Sequence, residues 1–330
     1  MDDTDRKLWS LIAANPRMQL RELAKMLGIS KQAAHHRMQI LIGIGAIEGM
    51  TAGISIHYLD AVPLLIFGRS DTTSIEETLD RLGGSEFSSL AIVASGNYFY
   101  VVSLIRHMSE LDSYTEFVKR AAEMPSPTVG IYGLDYPDYS LAVHSGKRKQ
   151  SYKELSPVDL KIIASLKDDA RRPTADIAEM VGVSAKTVRR HLEDMISDGS
   201  LEFYVPFDPG SGEDLFFMIH VNLRDGADKV EVGRRLLSKY PSRILFVRTF
   251  RNIPSFLMCI LCSDKTTEIR KVIKGVGEDE DVLTAMPNFV YLRRHYVTWR
   301  DKLPGVRTSS SRVARVHDLH SRPRRQYPQE

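Results

Sequence analysis

The stretch GVSAKTVRRHLEDM, residues 182–195, decides how the rest of this chain is interpreted. On a helical wheel of about 100° per residue, Val188, Leu192 and Met195 share one apolar face. The polar and basic side chains lie opposite or beside that face: Lys186, Thr187, Arg189 and Arg190. A helix that packs on one side and presents Lys, Arg and Thr on the other suits the major groove of DNA. An ordinary surface helix with a solvated basic face is the alternative.

A repeat relates this helix to a stretch near the start of the chain. Shifting the sequence by 154 positions aligns the two helical units without a gap, so that Asp5 meets Asp159 and Arg17 meets Arg171. The same shift places Gly28-Ile29-Ser30 on Gly182-Val183-Ser184. Such self-similarity indicates a duplicated structural unit. Residues 30–42 are therefore the partner of the helix at 185–195.

Each unit predicts three helices and a β wing, which together form a winged helix-turn-helix. Ser156-Pro157-Val158-Asp159 has the form of a capping box with proline at the first helical position. After each unit the pattern changes to strands and helices in the order βαββαβ, a ferredoxin-like module. The predicted fold class is α+β, with two winged helix-turn-helix domains alternating with two such modules. The predicted boundaries are 1–58, 59–143, a basic linker at 144–155, 156–208, 209–300 and a basic disordered tail at 301–330.

Composition narrows the class of protein. The 330 residues are 43% hydrophobic, enough for globular cores, and the net charge of +3 is concentrated in basic segments at 5–47 and 300–330. Local basic surface suits nucleic acid or anionic membranes. No apolar run is long enough to cross a bilayer and the N-terminus lacks an apolar signal region, so we expect a cytoplasmic protein. The pair Cys259 and Cys262 lies in an apparent buried strand, which favours structural cysteines over a metal or redox site.

The second half resembles the Lrp/AsnC (feast/famine) family of prokaryotic transcription regulators. The resemblance depends on Asp159, the motif Asp169-Ala170-Arg171, the "IA…VGVS" of the second helix and the "TV-R-R" of the third. The first half matches the same scheme more loosely. The resemblance implies an N-terminal helix-turn-helix, a βαββαβ (RAM-type) domain that pairs sheets face to face, DNA as partner, and a small-molecule effector such as an amino acid. Family members usually carry one such pair of domains, whereas this chain carries two.

The effector region departs from the family pattern. A "G-x-Y/W-D" turn commonly marks it, but the first module has Gly96-Asn97-Tyr98-Phe99 and lacks the acid. The second module has Arg251-Asn252-Ile253-Pro254 and lacks both the glycine and the acid. Gly96, Asn97 and Tyr98 remain candidate effector residues, with a tight hairpin as the alternative. The sequence indicates no cofactor and no metal site.

The leading hypothesis is a sequence-specific DNA-binding transcription regulator with two unequal recognition helices. Arginine favours guanine and glutamine favours adenine, so the two half-sites should differ. Ser30 and Ser184 are expected chiefly as helix caps, and a phosphate contact or a salt bridge is expected for Arg171. The modules pair within one chain, as a pseudo-dimer, or between chains, as a homo-oligomer. The candidate DNA-binding residues are Ser30, Lys31, Gln32, His35, His36, Arg171, Ser184, Lys186, Thr187, Arg189 and Arg190.

Two other classes of function stay open at this point. Sirohaem decarboxylases share the two-part architecture and act as enzymes; such a role would need His107, His220, His295 and Arg251 gathered over a tetrapyrrole. The other class is an assembly module that has lost DNA binding, which the basic face disfavours. No nucleophile–base pair or glycine-rich phosphate loop supports other catalysis.

Overall fold

A computed structural model describes residues 1–47, 49–132, 152–205, 215–241 and 243–304. Most of the predicted linker at 144–155 and of the predicted tail at 301–330 lies outside the described residues. None of the described helices is long and apolar enough to span a membrane.

Two three-helix units begin the two halves. Their helices end where the sequence places special residues, because Gly28 and Gly182 both adopt positive φ and stop the second helix of each unit. Asp2 and Ser156 form capping boxes at the first helix of each unit. The first unit consists of α1 (Asp3–Ala14), α2 (Leu20–Leu27), α3 (Lys31–Gly43) and β1 (Thr51–Ile54). The second consists of α6 (Pro157–Ser165), α7 (Thr174–Val181), α8 (Ala185–Asp198) and β6 (Leu201–Tyr204).

The strands after the helices differ from the predicted wings. We expected a strand pair within each unit, at 45–47 and 199–203. Instead each unit contributes one strand to a sheet that they share, with β1 antiparallel to β6 from Thr51↔Tyr204 to Ile54↔Leu201. The two units are therefore joined by backbone hydrogen bonds.

Each βαββαβ module has the strand order of a ferredoxin-like fold, which confirms the predicted fold class. The first module contains β2 (Val62–Arg69), α4 (Ile75–Leu82), β3 (Ser88–Ala94), β4 (Tyr98–Ile105), α5 (Leu111–Ala121) and β5 (Thr128–Ile131). The second contains β7 (Leu215–Leu223), α9 (Lys229–Lys239), β8 (Ile244–Phe250), β9 (Ile253–Ser263), α10 (Thr266–Gly277) and β10 (Val282–His295), and α11 (Trp299–Lys302) follows it.

The two modules form one eight-stranded sheet of order β5-β2-β4-β3-β10-β7-β9-β8. Strand β10 joins them, because its second half pairs with β3 from Val290↔Ala94 to His295↔Leu90 while its first half pairs with β7. The outermost strands also meet, through an antiparallel bridge between Tyr132 and Phe250. The modules thus pair within one chain along both edges.

The apolar side chains of the two modules divide between a shared interior and two outer layers. The helices α4 and α5 cover the first module, and α9 and α10 cover the second. The opposite faces of both modules share one cluster that includes Phe67, Phe216 and Phe256. Cys259 lies in the outer layer and Cys262 in the shared cluster, and both side chains are buried. The cysteines therefore point to opposite faces of β9, as a strand requires, and burial raises the pKa of Cys259 to about 12.

Each helix-turn-helix unit docks on a part of the chain distant in sequence. The buried guanidinium of Arg6 in α1 pairs with Asp264 of the second module at 2.8 Å. Arg243 of the same module pairs with Asp3 at 2.6 Å. At the other end, Arg300 in α11 donates from Nε to the carbonyl of Ile54 at 2.7 Å and pairs with Glu202. The helical units and the modules are consequently interlocked across the two halves.

A histidine–tyrosine pair lies between the modules. The hydroxyl of Tyr100 lies 2.8 Å from Nε2 of His220, and Asn288 donates from Nδ2 to the same hydroxyl at 2.9 Å. Because the hydroxyl accepts from Asn288, it can donate its proton to a neutral His220. Phe67 and Phe256 surround the imidazole with ring centroids 5.4 and 5.5 Å away. Burial lowers the pKa of His220 to about 4.

This pair predicts acid sensitivity. An unfolded histidine has a pKa of about 6.5, so between about pH 6.5 and 4 the unfolded chain binds a proton that the folded chain does not, and stability falls as pH drops through this window. When the pH is lowered from 7 to 5, the unfolding free energy of the wild type should fall by about 2 kcal/mol more than that of His220→Gln. Denaturant unfolding at both pH values measures it, with exposed His36→Gln as control; equal pH slopes for wild type and His220→Gln would contradict the assignment.

Candidate nucleic-acid interface

The helix α8 lies as the helical wheel predicts. Val188, Leu192 and Met195 are buried against α6 and α7. The basic face is exposed to solvent, with Lys186, Arg189 and Arg190 on it and Thr187 half-buried beside it. Within the part of the chain that the structure describes, neither Lys186 nor Arg189 forms an ion pair. Their charges are therefore available to a ligand.

The helix α3 presents a chemically different face. Ala34, Met38 and Leu41 are buried on its inner side. The exposed positions that correspond to the basic face of α8 hold less positive charge: Lys31, Gln32, His35 and His36. The two faces thus offer different hydrogen-bonding groups on the same scaffold.

Both helices begin with the expected serine cap. Ser30 Oγ accepts from the backbone N–H of Ala33 at 3.1 Å, and Ser184 Oγ accepts from that of Thr187 at 3.1 Å. The Thr187 hydroxyl also lies 2.9 Å from Ser184 Oγ. Neither helix has an acid in its first turn, where α1 and α2 have one or more. A cation at a helix N-terminus opposes the helix dipole by roughly 0.3–1 kcal/mol, so Lys31 and Lys186 do not add to the stability of their helices.

A matched polar contact ties each of these helices to the first helix of its unit. In the first unit Arg37 Nη1 contacts Asp5 Oδ1 and Asp2 Oδ2, both at 2.7 Å. At the corresponding positions of the second unit, His191 Nδ1 lies 2.6 Å from Asp159 Oδ1. Sequence reasoning did not identify these contacts, although the repeat aligned the two aspartates.

The surroundings of Asp159 favour its charged form. Burial raises the pKa of this carboxyl, but hydrogen bonds from Ser156 and His191 outweigh burial, so that the pKa lies below its ordinary value. The second oxygen of Asp159 accepts from both the backbone N–H and the hydroxyl of Ser156, at 2.8 and 2.6 Å. One carboxylate therefore caps α6 and positions α8.

Arg171 is placed differently from its predicted contact with phosphate or a salt bridge with a neighbouring aspartate. Its guanidinium is half-buried between the two helical units and donates to the carbonyls of Pro16 and Met18, each at 2.6 Å. Backbone carbonyls of the other unit therefore take up its donors, because the two helix 1–2 loops meet there. The following Arg172 stays within its own unit, beside the sulfur of Met180.

The candidate effector residues belong to a packed hairpin. Gly96 and Asn97 both have positive φ and form the turn between β3 and β4. Asn97 also donates from Nδ2 to the carbonyl of Thr72 at 3.2 Å. The ring of Tyr98 packs 5.3 Å from that of His220, between the modules. The corresponding turn of the second module contacts the first module, because Asn252 forms two hydrogen bonds with the backbone of β5. The structure thus gives both turns packing roles.

The four side chains considered for tetrapyrrole chemistry do not meet. His220 pairs in register with Met286 of β10, and His295 lies nine residues further along that strand, which is about 30 Å at 3.3 Å per residue. His107 is the N-cap of the short 3-10 helix Met108–Glu110 that follows β4. Arg251 lies in the turn between β8 and β9, seven residues from the position that pairs with His220.

Comparison with known proteins follows the same division of the chain. Residues 1–42 match the AsnC-type helix-turn-helix domain family, and residues 155–201 match a winged helix-turn-helix DNA-binding family. The HTH-type transcriptional regulator AldR of Mycolicibacterium smegmatis is 27% identical over 42% of this chain and 82% of its own length. The AldR of Mycobacterium tuberculosis is 26% identical over 45% of this chain and 87% of its own length.

A solved structure is similar over nearly the whole chain. The crystal structure of the siroheme decarboxylase NirDL aligns with a TM-score of 0.57 over 91% of this chain and 94% of its own, at 14% sequence identity. At that identity the likeness shows the fold, a tandem of helical units and ferredoxin-like modules, and leaves the chemistry to the site.

The matched domains and the two exposed helices show that both helical units belong to the helix-turn-helix class. The chain is, more particularly, similar to the Lrp/AsnC transcription regulators, and it contains two helix-turn-helix units and two βαββαβ modules in one polypeptide.

The helix anchors predict unequal losses of stability. Asp159→Asn removes the carboxylate that holds both Ser156 and His191, and we expect it to cost about 1–3 kcal/mol of unfolding free energy. Asp5→Asn should cost less, because Arg37 keeps its contact with Asp2. Denaturant unfolding at pH 7 measures both, with Asp194→Asn on the exposed face of α8 as charge-matched control. A loss for Asp159→Asn no larger than for Asp194→Asn would contradict the anchoring role.

Proposed function

We propose that this chain is a sequence-specific DNA-binding transcription regulator in which one polypeptide supplies both recognition helices. The observation that carries the proposal is the shared β1–β6 sheet, which joins two helix-turn-helix units whose exposed faces differ in residue type. The aligned positions of α3 and α8 hold Gln32 against Lys186 and His36 against Arg190. Pairing within the chain then gives a pseudo-symmetric DNA-binding unit whose two helices prefer different half-sites.

Each exposed side chain has a role in this proposal. Lys186 and Arg190 of α8 face the major groove, where arginine makes a bidentate contact with guanine. Gln32 of α3 suits the equivalent bidentate contact with adenine. Lys31, His35, His36, Thr187 and Arg189 complete the two faces. The capping serines Ser30 and Ser184 leave helix N-termini open to phosphate.

Selection from random duplexes tests the proposal. Because the two faces differ, we expect a bound site made of two dissimilar half-sites. Enrichment of a perfect palindrome would contradict reading by one chain, and enrichment of no sequence at all would contradict specific DNA binding.

A single substitution separates base reading from phosphate binding. If Arg190 reads a base, Arg190→Ala should cost about 1–3 kcal/mol on the selected site and much less on unrelated duplexes. Fluorescence anisotropy on both duplexes at one fixed salt concentration measures the difference. Lys161→Ala removes an exposed charge from α6 and is the matched control. Equal losses on both duplexes would make Arg190 a phosphate contact.

A second candidate function rests on the fold likeness to NirDL over 91% of the chain. The His107, His220, His295 and Arg251 side chains do not form one site, and His220 is held by Tyr100 among aromatic rings. We therefore favour the regulator. Incubation of the purified protein with sirohaem discriminates the two functions: loss of carboxylates, followed by mass spectrometry, would support the enzyme, and unchanged sirohaem supports the regulator.

A further inference from the structure

Two arginines at corresponding positions of the repeat make reciprocal contacts between the helix-turn-helix units. Arg17 donates from Nη1 to the carbonyl of Ala170 at 2.6 Å. Arg171 donates from Nε to the carbonyl of Pro16 and from Nη2 to that of Met18, each at 2.6 Å. Each guanidinium therefore binds the loop that carries the other. We call this set of contacts the arginine clasp.

The clasp is partly withdrawn from water. Burial lowers the pKa of both guanidinium groups from their ordinary value, and the nearby charge of Arg17 lowers the pKa of Arg171 further. The charge of Asp169 acts in the opposite direction on both. Arg17 also lies over the ring of Phe203 in β6, 5.5 Å from its centroid. Hydrogen bonds from a charged donor are stronger than those between neutral groups. Three such hydrogen bonds cross the clasp, whereas the β1–β6 sheet joins the units through four residue pairs. The clasp is therefore a major part of the contact between the units.

The clasp and the shared sheet hold the same two bodies at two places. The sheet joins the segments that follow α3 and α8, and the clasp joins the loops that follow α1 and α6. Between these places the backbone N–H of Ala170 donates to the carbonyl of Met50 at 2.6 Å. Two separate attachments remove the rotation that a single strand pair would allow.

We infer that Arg17 and Arg171 are positioning residues that fix the separation and relative orientation of the two recognition helices, and with them the spacing of half-sites on DNA. The expected effect on half-site spacing rests on the proposed function. The expected rigidity of the two units rests only on the contacts of the arginine clasp. A duplex turns once in about 10–10.5 base pairs, so five inserted base pairs carry one half-site to the opposite face. A protein in which the two recognition helices are held rigidly cannot follow that rotation, whereas one in which the two units move relative to each other can follow it in part.

The rigidity is measured without DNA. Gln39 and Glu193 are exposed, occupy corresponding positions on α3 and α8, and are suitable for spin labels after Gln39→Cys and Glu193→Cys; Cys259 and Cys262 are buried. Pulsed electron resonance should give one narrow distance distribution in this background. Adding Arg17→Ala and Arg171→Ala should broaden it. The controls Arg21→Ala and Arg172→Ala remove charges from neighbouring positions that do not cross the contact, and should leave it narrow.

The spacing is measured on a selected two-half-site duplex and on versions with one to six base pairs inserted. Wild type should lose about 100-fold in affinity or more at five inserted base pairs, because simultaneous engagement contributes about 10²–10⁴-fold. The clasp variant should lose about tenfold on the original spacing, show a flatter profile with spacing, and bind a duplex with one intact half-site within about twofold of wild type.

Folding is controlled separately. Arg17→Met and Arg171→Met keep the aliphatic stems and remove the donors, and they replace the alanine variants if circular dichroism shows those to be unfolded. A distance distribution and a spacing profile that both equal those of wild type would overturn the inference. A wild type that selects no DNA sequence would contradict the proposed function instead, while the distance measurement would still decide whether the clasp sets the geometry.

Discussion

The pairing of β10 with both β3 and β7 is the contact on which the rest of the molecule depends. A ferredoxin-like sheet covered by helices on one face leaves its other face apolar, and that face must be buried. Here the second module buries the face of the first, so that Phe67, Tyr100, His220 and Phe256 pack in one interior. Burying these side chains is worth several kcal/mol. One chain is therefore sufficient for the pairing, and the bridge between Tyr132 and Phe250 closes the second edge.

The paired modules also contact the helix-turn-helix units. Arg6 ties the first unit to Asp264 of the second module, and Arg300, which follows that module, bonds Ile54 of β1 in the first unit and Glu202 of β6 in the second. The units then share a sheet and the arginine clasp. Duplication within one chain also removes the requirement for identical halves, since each half can change by itself. The different side chains on α3 and α8 are what such freedom permits, and under the proposed function they would select a DNA site with unequal halves.

Local signals in the sequence were sufficient for the elements and insufficient for their assembly. The serines before α3 and α8, the repeated glycines and the strand periodicity predicted the order of helices and strands in each half, because caps, turns and alternation are local. The shared β1–β6 sheet was missed, since four-residue strands carry no information about their partner. Arg171 was expected to contact phosphate or to form a salt bridge, because a loop arginine that binds backbone carbonyls has no distinct local pattern. Its alignment with Arg17 was the available sign of a symmetric contact. The burial of Tyr98 likewise depended on the second module, which no local pattern reports.

The stoichiometry of binding tests the central claim most directly, namely that one chain contains both halves of the reader. A duplex with the two selected half-sites can be titrated with the full chain and analysed by native mass spectrometry, with footprinting on the same samples. The account predicts protection of both half-sites at one chain per duplex. Two chains per duplex at the point where both half-sites become protected would contradict it, because each chain would then supply a single working recognition helix.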